Sequence, residues 1–142
     1  MILIDTNLLL YAYDTTSVHH VVARDWLEQQ ISSEEAVRFS WFTILAFLRI
    51  TTNFRAMLSP LTEEEACGII TELLTQPAVA VLSPGPRHWD ILNRVIQQSG
   101  CRGALVMDAE LAALAIEYGA ILCTHDRDFA RFPTLRLEYP LA

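Results

Sequence analysis

The chain has 142 residues, of which 52% are hydrophobic, so it is long enough for a substantial core and its composition argues against disorder. We expect residues 1–142 to form a single domain. The formal net charge is −7 and all ten basic residues are arginines, which disfavours a broad duplex-DNA footprint because that requires many phosphate contacts. Nucleic acid is not excluded, since a metal ion can join an acidic pocket to a phosphate, and a basic partner protein would also suit this charge.

No stretch of the sequence is apolar and long enough to span a bilayer, and the start of the chain has neither a basic segment nor a cleavage signal. The three cysteines, Cys67, Cys101 and Cys123, are odd in number and widely spaced, which is typical of free, packed thiols. Free thiols favour a reducing compartment. We therefore predict a cytoplasmic protein with no membrane segment and no signal peptide.

The first third of the chain predicts one buried strand and two helices. Residues 1–5 form a short apolar run without alternation, which indicates a strand buried on both faces. Asp5 can cap a short helix that carries residues 8–11, and a longer helix is expected from Ser17 to about Ile31. The apolar spacing of that longer helix predicts an inward face made of Val22, Ala23, Trp26 and Leu27.

The middle of the chain predicts two strands and three helices. A strand over residues 36–40 leads into a helix over residues 41–54. Thr62 and Glu65 form a capping-box pattern for a helix that runs to about Thr75. A strand over residues 78–82 follows. The next helix starts at Pro86 and ends at Gly100, with three residues expected to face inward: Trp89, Leu92 and Ile96.

The last third predicts a helix, two strands and a short helical turn. The helix begins near Ala104 and ends at Gly119, a favourable stop. A strand over residues 120–124 and a helical turn over 126–131 precede a final strand over 135–139, whose alternating pattern suits a sheet edge. Strands that alternate with helices indicate an α/β fold, with a mostly parallel sheet covered by helices on both faces.

Four aspartates lie where this pattern ends a strand or begins a helix. Asp5 closes the first strand, Asp126 and Asp128 follow the strand over residues 120–124, and Asp108 opens a helix. Asp108 shares the helix face of Leu105, Leu111, Ala112 and Ala115, whereas Glu110 and Glu117 are expected on the solvated face. Because the carboxyl ends of parallel strands form the ligand crevice, these acids should converge there.

Converging carboxylates repel one another unless a positive charge joins them, and a hard divalent cation such as Mg²⁺ prefers oxygen ligands. Each aspartate taken alone could instead be a helix cap or a turn residue. The adjacent His19 and His20 point to different helix faces and do not suit one ion, whereas His125 is a candidate for proton transfer. A hydrolase with Asp5 as nucleophile is disfavoured, because Asn7 replaces the usual second aspartate and the chain has no lysine.

Three short motifs occur in this chain, and their order along the sequence is more specific than any one of them alone. The chain resembles a PIN domain, and in particular the VapC ribonuclease toxins of bacterial VapBC toxin–antitoxin pairs, over its whole length. The segments at residues 20–27 and 40–53 resemble one VapC subgroup. The resemblance implies a PIN-like three-layer sandwich. The motifs that carry it are Ile4-Asp5-Thr6-Asn7, Asp-Ala-Glu-Leu-Ala-Ala-Leu-Ala at 108–115, and Thr-His-Asp-Arg-Asp-Phe at 124–129.

The resemblance also implies a metal-dependent endoribonuclease. Asp5, Asp108 and Asp126 would be ligands of Mg²⁺ or Mn²⁺, with Asp128 in a supporting role. The expected substrate is single-stranded RNA, and the expected partners are a VapB-like antitoxin, which would push a basic side chain into the acidic pocket, and a second copy of the chain as a homodimer. Further residues are expected to orient ligands or touch the phosphate (Thr6, Asn7 and Thr124) or to contact the RNA backbone (Arg49 and Arg102).

One position departs from the family pattern. Most members have a Ser-x-x-Thr-x-x-Glu-Leu segment, and the matching stretch here begins at Ser40 and has Ala46 in place of the glutamate. One acid is therefore missing from the expected set. The alternative hypothesis that follows is a catalytically weak PIN module that binds RNA or a partner protein.

Overall fold

The computed structural model describes residues 1–142 and contains one sheet of five strands, all paired in parallel. The order across the sheet is third, second, first, fourth, fifth strand. The predicted parallel α/β architecture is confirmed, and every predicted strand is present in a shortened form. The strands are β1 Ile2–Ile4, β2 Val37–Ser40, β3 Val79–Leu82, β4 Ile121–Cys123 and β5 Leu137–Glu138.

Six α-helices and one 3-10 helix connect the strands. Each predicted helix is present, and its ends differ from the prediction by a few residues. The capping box is confirmed, because the Thr62 hydroxyl accepts from the backbone of Glu65 and the Glu65 carboxylate accepts from the backbone of Thr62. The helices are α1 Thr6–Tyr13, α2 His20–Ser32, α3 Trp41–Thr51, α4 Glu63–Thr75, α5 His88–Ser99 and α6 Leu105–Tyr118, with the 3-10 helix at Arg127–Arg131.

The central strand β1 marks the point where the strand order changes direction. On one side lie β2 and then β3, and on the other side lie β4 and then β5. Ile2 pairs with Val37 of β2 and with Ile121 of β4, so β1 is bonded along both edges. In open parallel sheets a ligand crevice forms where two connections leave in opposite directions, here beyond the carboxyl ends of β1 and β4.

The core is divided between the two faces of the sheet. One cluster joins the sheet to the first four helices, and Ile4, Leu27 and Phe47 belong to it. The other joins it to the last two helices and the 3-10 helix, and Leu3 and Phe129 belong to it. Neighbouring residues of β1 thus point into opposite layers, as the pleat of a strand requires, and the three-layer arrangement is confirmed.

Two of the predicted inward positions are wrong. Val22 is 55% exposed and Trp89 is 65% exposed. The buried face of α2 is centred on Ala23 and Leu27, and that of α5 on Val95, with Leu92 and Ile96 partly buried. At about 100° per residue, Val22 lies some 140° around the helix from Leu27, and Trp89 some 120° from Val95.

Two further expectations about exposure are wrong. Cys67 is exposed, whereas the other two cysteines are buried, and all three are free thiols. Glu117 does not lie on a solvated face, because its side chain is only 6% exposed and accepts a hydrogen bond from the backbone of Gly85 at 3.1 Å. His88 stands between Glu117 and Glu110, 3.0 Å from the latter, so the charged face of α6 packs against the start of α5. No helix is both long and apolar enough to cross a bilayer.

Candidate metal centre

Asp5 occupies the carboxyl end of β1 and joins it to two neighbouring segments. Its backbone donates to the carbonyl of Cys123 at 2.9 Å, which continues the pairing with β4. Its Oδ1 accepts from the backbone of Thr6 at 2.7 Å, and its Oδ2 accepts from the Thr124 hydroxyl at 2.7 Å. Asp5 therefore caps α1, as one sequence interpretation held, and at the same time its carboxylate is held at the end of the sheet.

The segment after β4 is fixed to the start of α1 by hydrogen bonds. Asn7 accepts at Oδ1 from the backbone of His125 at 3.2 Å, and its amide reaches the Thr124 hydroxyl at 3.5 Å. The same hydroxyl accepts from the backbone of Asp126 at 3.0 Å. Thr124, which is fully buried, thus orients two acids that follow different strands, Asp5 after β1 and Asp126 after β4. The predicted supporting residues Asn7 and Thr124 lie beside the aspartates.

Thr6 links this region to the start of α3. Its hydroxyl donates to the hydroxyl of Thr43 at 3.4 Å, and Ser40 donates to the same atom at 3.1 Å. Ser40 is also the N-cap of α3 and accepts from the backbone of Thr43. The serine and threonine of the family segment therefore border the candidate site.

Three aspartates present carboxylate oxygens that all lie within 4.8 Å of one another: Asp108, Asp126 and Asp128. Asp108 comes from the first turn of α6. Asp126 caps the 3-10 helix by accepting from the backbone of Asp128 at 2.9 Å, which fixes both acids in one turn. Asp5 is not part of this closest set, but it is near enough to raise the pKa of Asp108. We call these four residues the acidic cluster.

Electrostatics within the acidic cluster disfavour full ionisation. The pKa of Asp108 is raised to about 6, first by burial and then by the charges of Asp126, Asp5 and Asp128, against a smaller lowering by Arg131. Burial also raises the pKa of Asp5, despite the hydrogen bonds from Thr124 and Thr6, and Asp126 adds to the increase. The positive groups of the surrounding protein therefore do not neutralise the negative charge of the acidic cluster.

The donor set suits a hard divalent cation. It consists of carboxylate oxygens on three separate segments, with no cysteine in it. The only side-chain cation paired with the cluster is Arg131, whose guanidinium lies 3.7 Å from Asp128. Sequence reasoning did not single out Arg131, although its position three residues after Asp128 on a helical turn was a usable signal.

Ala46 is 5% exposed on α3, one turn beyond Thr43. A methyl group therefore occupies the buried position at which the family pattern places a glutamate. The two arginines expected to contact RNA, Arg49 and Arg102, are exposed and form neither an ion pair nor a side-chain hydrogen bond with the acidic cluster. The structure places them outside the acidic cluster.

The adjacent histidines His19 and His20 contact different parts of the protein. His20 contacts the backbone carbonyl of Tyr11 through Nδ1 at 3.0 Å. His19 turns the other way, and its ring lies 4.6 Å from that of His125. The adjacent histidines thus diverge, in agreement with the helix-face argument.

Comparison with known families agrees with this fold. A family model described as the PIN domain matches residues 2–135. The chain belongs to the PIN domain family. Ribonuclease VapC37 of Mycobacterium tuberculosis is 39% identical over 142 residues, covering 100% of this chain and 99% of that protein. Ribonuclease VapC33 of the same species is 38% identical over 141 residues, covering 99% of each. Within the PIN domain family, the chain is a member of the VapC ribonuclease group.

Solved structures with low sequence identity share the fold. VapBC-1 from nontypeable Haemophilus influenzae superposes with a TM-score of 0.72 at 20% identity, over 100% of both chains. VapBC2 from Rickettsia felis, bound to a promoter DNA fragment, gives a TM-score of 0.71 at 19% identity, covering 97% of this chain and 98% of that one. Mycobacterium tuberculosis VapC20, described as a sarcin-ricin loop cleaving toxin, gives 0.65 at 16% identity, covering 96% and 99%.

Proposed function

We propose that this chain is a metal-dependent endoribonuclease toxin of a type II toxin–antitoxin pair, which hydrolyses phosphodiester bonds in RNA with Mg²⁺ or Mn²⁺. The observation that carries the proposal is the convergence of four carboxylates, carried on three separate segments, beyond β1 and β4. The names of the VapC relatives supply the substrate class. We also propose that the protein acts in the cytoplasm.

Asp5, Asp108 and Asp126 are the proposed metal ligands, and Asp128 supports them from the same turn as Asp126. When bound, a divalent cation lowers the pKa of an attacking water and neutralises charge on the phosphate. Thr124 holds the Asp5 carboxylate and the backbone of Asp126, so it fixes the separation of two ligands. Thr6 and Asn7 complete this supporting set through the contacts described above.

An acidic chain must bind a polyanion through a small number of favourable contacts. We assign Arg49 and Arg102 to the RNA backbone, because both are exposed and have no carboxylate partner in the protein. Phosphate recognition by arginine needs a free guanidinium edge, which both residues offer. Single-stranded or looped RNA fits better than a duplex, since bases and phosphates are then accessible together.

The proposed protein partners follow from charge and exposed apolar surface. The uncompensated acidic cluster would accept a basic side chain from a VapB-like antitoxin. A VapB-like partner is proposed because the similar solved structures are named as VapBC. Homodimerisation would cover an apolar patch at the start of α3 and beside it. This patch consists of Trp41, Phe42, Leu45 and Met107, which are 52%, 39%, 61% and 43% exposed.

The test is cleavage of single-stranded RNA by the purified chain, freed of any co-purified partner, in Mg²⁺, in Mn²⁺ and in EDTA. Asp5→Asn and Asp108→Asn should each abolish metal-dependent cleavage. Asp90→Asn is the matched control, because Asp90 also lies in the first turn of a helix but is exposed and outside the acidic cluster. RNA binding without cleavage by the wild type would favour the binding-module alternative that the buried Ala46 suggests.

A further inference from the structure

Three aromatic rings are gathered beside the acidic cluster, and the metal chemistry does not use them. The His19 ring lies 4.7 Å from Tyr11 and 4.6 Å from His125, measured between ring centroids. Tyr11 and His125 meet edge to face at 5.8 Å, with their planes 82° apart. Tyr11 comes from α1, His19 from the residue that precedes α2, and His125 from the loop after β4.

The position of this aromatic cluster is fixed relative to the aspartates. His125 stands between Thr124, which donates to Asp5, and Asp126. Its backbone donates to Asn7 at the start of α1, which fixes the point from which the ring projects. Tyr11 is held from the other side, because its carbonyl is bonded to His20.

The aromatic cluster is half-buried rather than part of either core. All three residues have intermediate exposure, and Tyr11 packs against the core cluster of the first four helices. Nδ1 of His125 is shielded from solvent and has no hydrogen-bond partner in the protein. The His19 side chain does not cap α2. Neither histidine ring is therefore explained by a structural hydrogen bond, and an unpartnered buried polar atom such as His125 Nδ1 calls for an explanation.

We propose that Tyr11, His19 and His125 form a stacking subsite for an unpaired nucleobase of the RNA, next to the bond that is cut. Stacking suits this chain, because its net charge of −7 works against phosphate-driven binding, whereas base stacking does not depend on net charge. All three residues are partly exposed, so part of the aromatic cluster is accessible to a planar base. The inference rests on the proposed ribonuclease function and adds to it a residue set that selects unpaired nucleotides.

The test measures binding and base dependence separately from cleavage. The probes are single-stranded RNAs of about ten nucleotides that carry one abasic site, or one fluorescent 2-aminopurine, at each position in turn. Binding is measured in the Asp108→Asn background to suppress turnover. One abasic position should weaken binding about tenfold, and 2-aminopurine at that position should be quenched on binding.

His19→Ala should remove both effects at that position, and His19→Phe should retain them because the ring is kept. In the otherwise wild-type chain, His19→Ala should raise KM for RNA and leave kcat little changed, as expected for lost ground-state binding. Phe54→Ala is the control for a generic aromatic effect, since Phe54 is 73% exposed outside the aromatic cluster. Thermal unfolding of each variant identifies any loss that comes from misfolding.

The outcomes separate the two proposals. An unchanged Kd and an unchanged abasic profile in His19→Ala would overturn the stacking subsite even if the wild type cleaves RNA. Position-dependent quenching that needs His19, in a wild type that does not cleave, would support the subsite and overturn the nuclease. A chain that binds no RNA would overturn both.

Discussion

Replacing Asp108 by asparagine should stabilise the metal-free protein at neutral pH. Burial and three neighbouring aspartates raise the pKa of Asp108 from 3.8 to about 6, so the folded state disfavours its charged form. Well below pH 3.8 the carboxyl is protonated in both the folded and the unfolded state, and this cost to stability vanishes. The penalty grows as the pH rises from about 4 to about 6 and is constant above that, because only the unfolded state ionises freely in this interval.

The size of the effect follows from the pKa shift. A change from 3.8 to about 6 corresponds to about 3 kcal/mol by linkage. The Asp108 side chain is only half-buried, and solvent screening reduces the figure to about 1–2 kcal/mol. Asp108→Asn should gain this amount in free energy of unfolding at pH 7.5 and almost nothing at pH 3.5.

Urea unfolding in EDTA, followed by circular dichroism at both pH values, measures the difference. Asp90→Asn is the control, because it removes an exposed carboxylate from the first turn of α5 and should lose a few tenths of a kcal/mol of helix-dipole stabilisation. Addition of Mg²⁺ should stabilise the wild type more than Asp108→Asn. If Asp108→Asn is destabilising at pH 7.5 in EDTA, the acidic cluster is not electrostatically strained and the reasoning fails.

Three further changes test other parts of the structure. Thr124→Val removes a buried hydroxyl that holds Asp5 and Asp126, and it should lower metal-dependent cleavage about 10- to 100-fold. Thr124→Ser keeps the hydroxyl and should restore cleavage. Equal cleavage rates of the valine and serine variants would contradict the positioning role. Ala46→Glu should tighten Mn²⁺ binding, measured by calorimetry, and raise cleavage if the missing acid limits the site; no change in either would reject that explanation. Thr62→Ala removes one half of the capping box and should cost about 1 kcal/mol in urea unfolding while cleavage is unaffected. A change in cleavage with no loss of stability would contradict a purely local role for Thr62.

Local patterns predicted most of the fold. The capping box of Thr62 and Glu65 and the helix stop at Gly119 involve contacts within a few residues, and both are present in the structure. The parallel sheet followed from the alternation of strands and helices. Trp89 and Val22 were wrongly predicted to face inward, because apolar spacing defines only a broad stripe along a helix. The packing of neighbouring helices decides which edge of that stripe is buried.

The aspartates of the candidate site could be predicted from the sequence, but the hydrogen bonds and ring contacts between its segments could not. Asp5, Asp108 and Asp126 each follow a strand or open a helix, and a parallel sheet brings such positions to one edge. The bond from Thr124 to Asp5 joins residues 119 apart in the chain, and no local pattern encodes it. The aromatic cluster was missed for the same reason, since His19 and His125 meet only after α2 and the loop beyond β4 pack together.

The most direct test of the central claim is a titration of RNA cleavage against Mn²⁺ for the wild type and Asp108→Asn, with the chain purified free of any partner. The account predicts a wild-type rate that rises from zero in EDTA and saturates with Mn²⁺, and no metal-dependent rate in Asp108→Asn. A wild-type rate independent of Mn²⁺, or an Asp108→Asn rate equal to that of the wild type, would contradict the assignment of the acidic cluster as the nuclease centre.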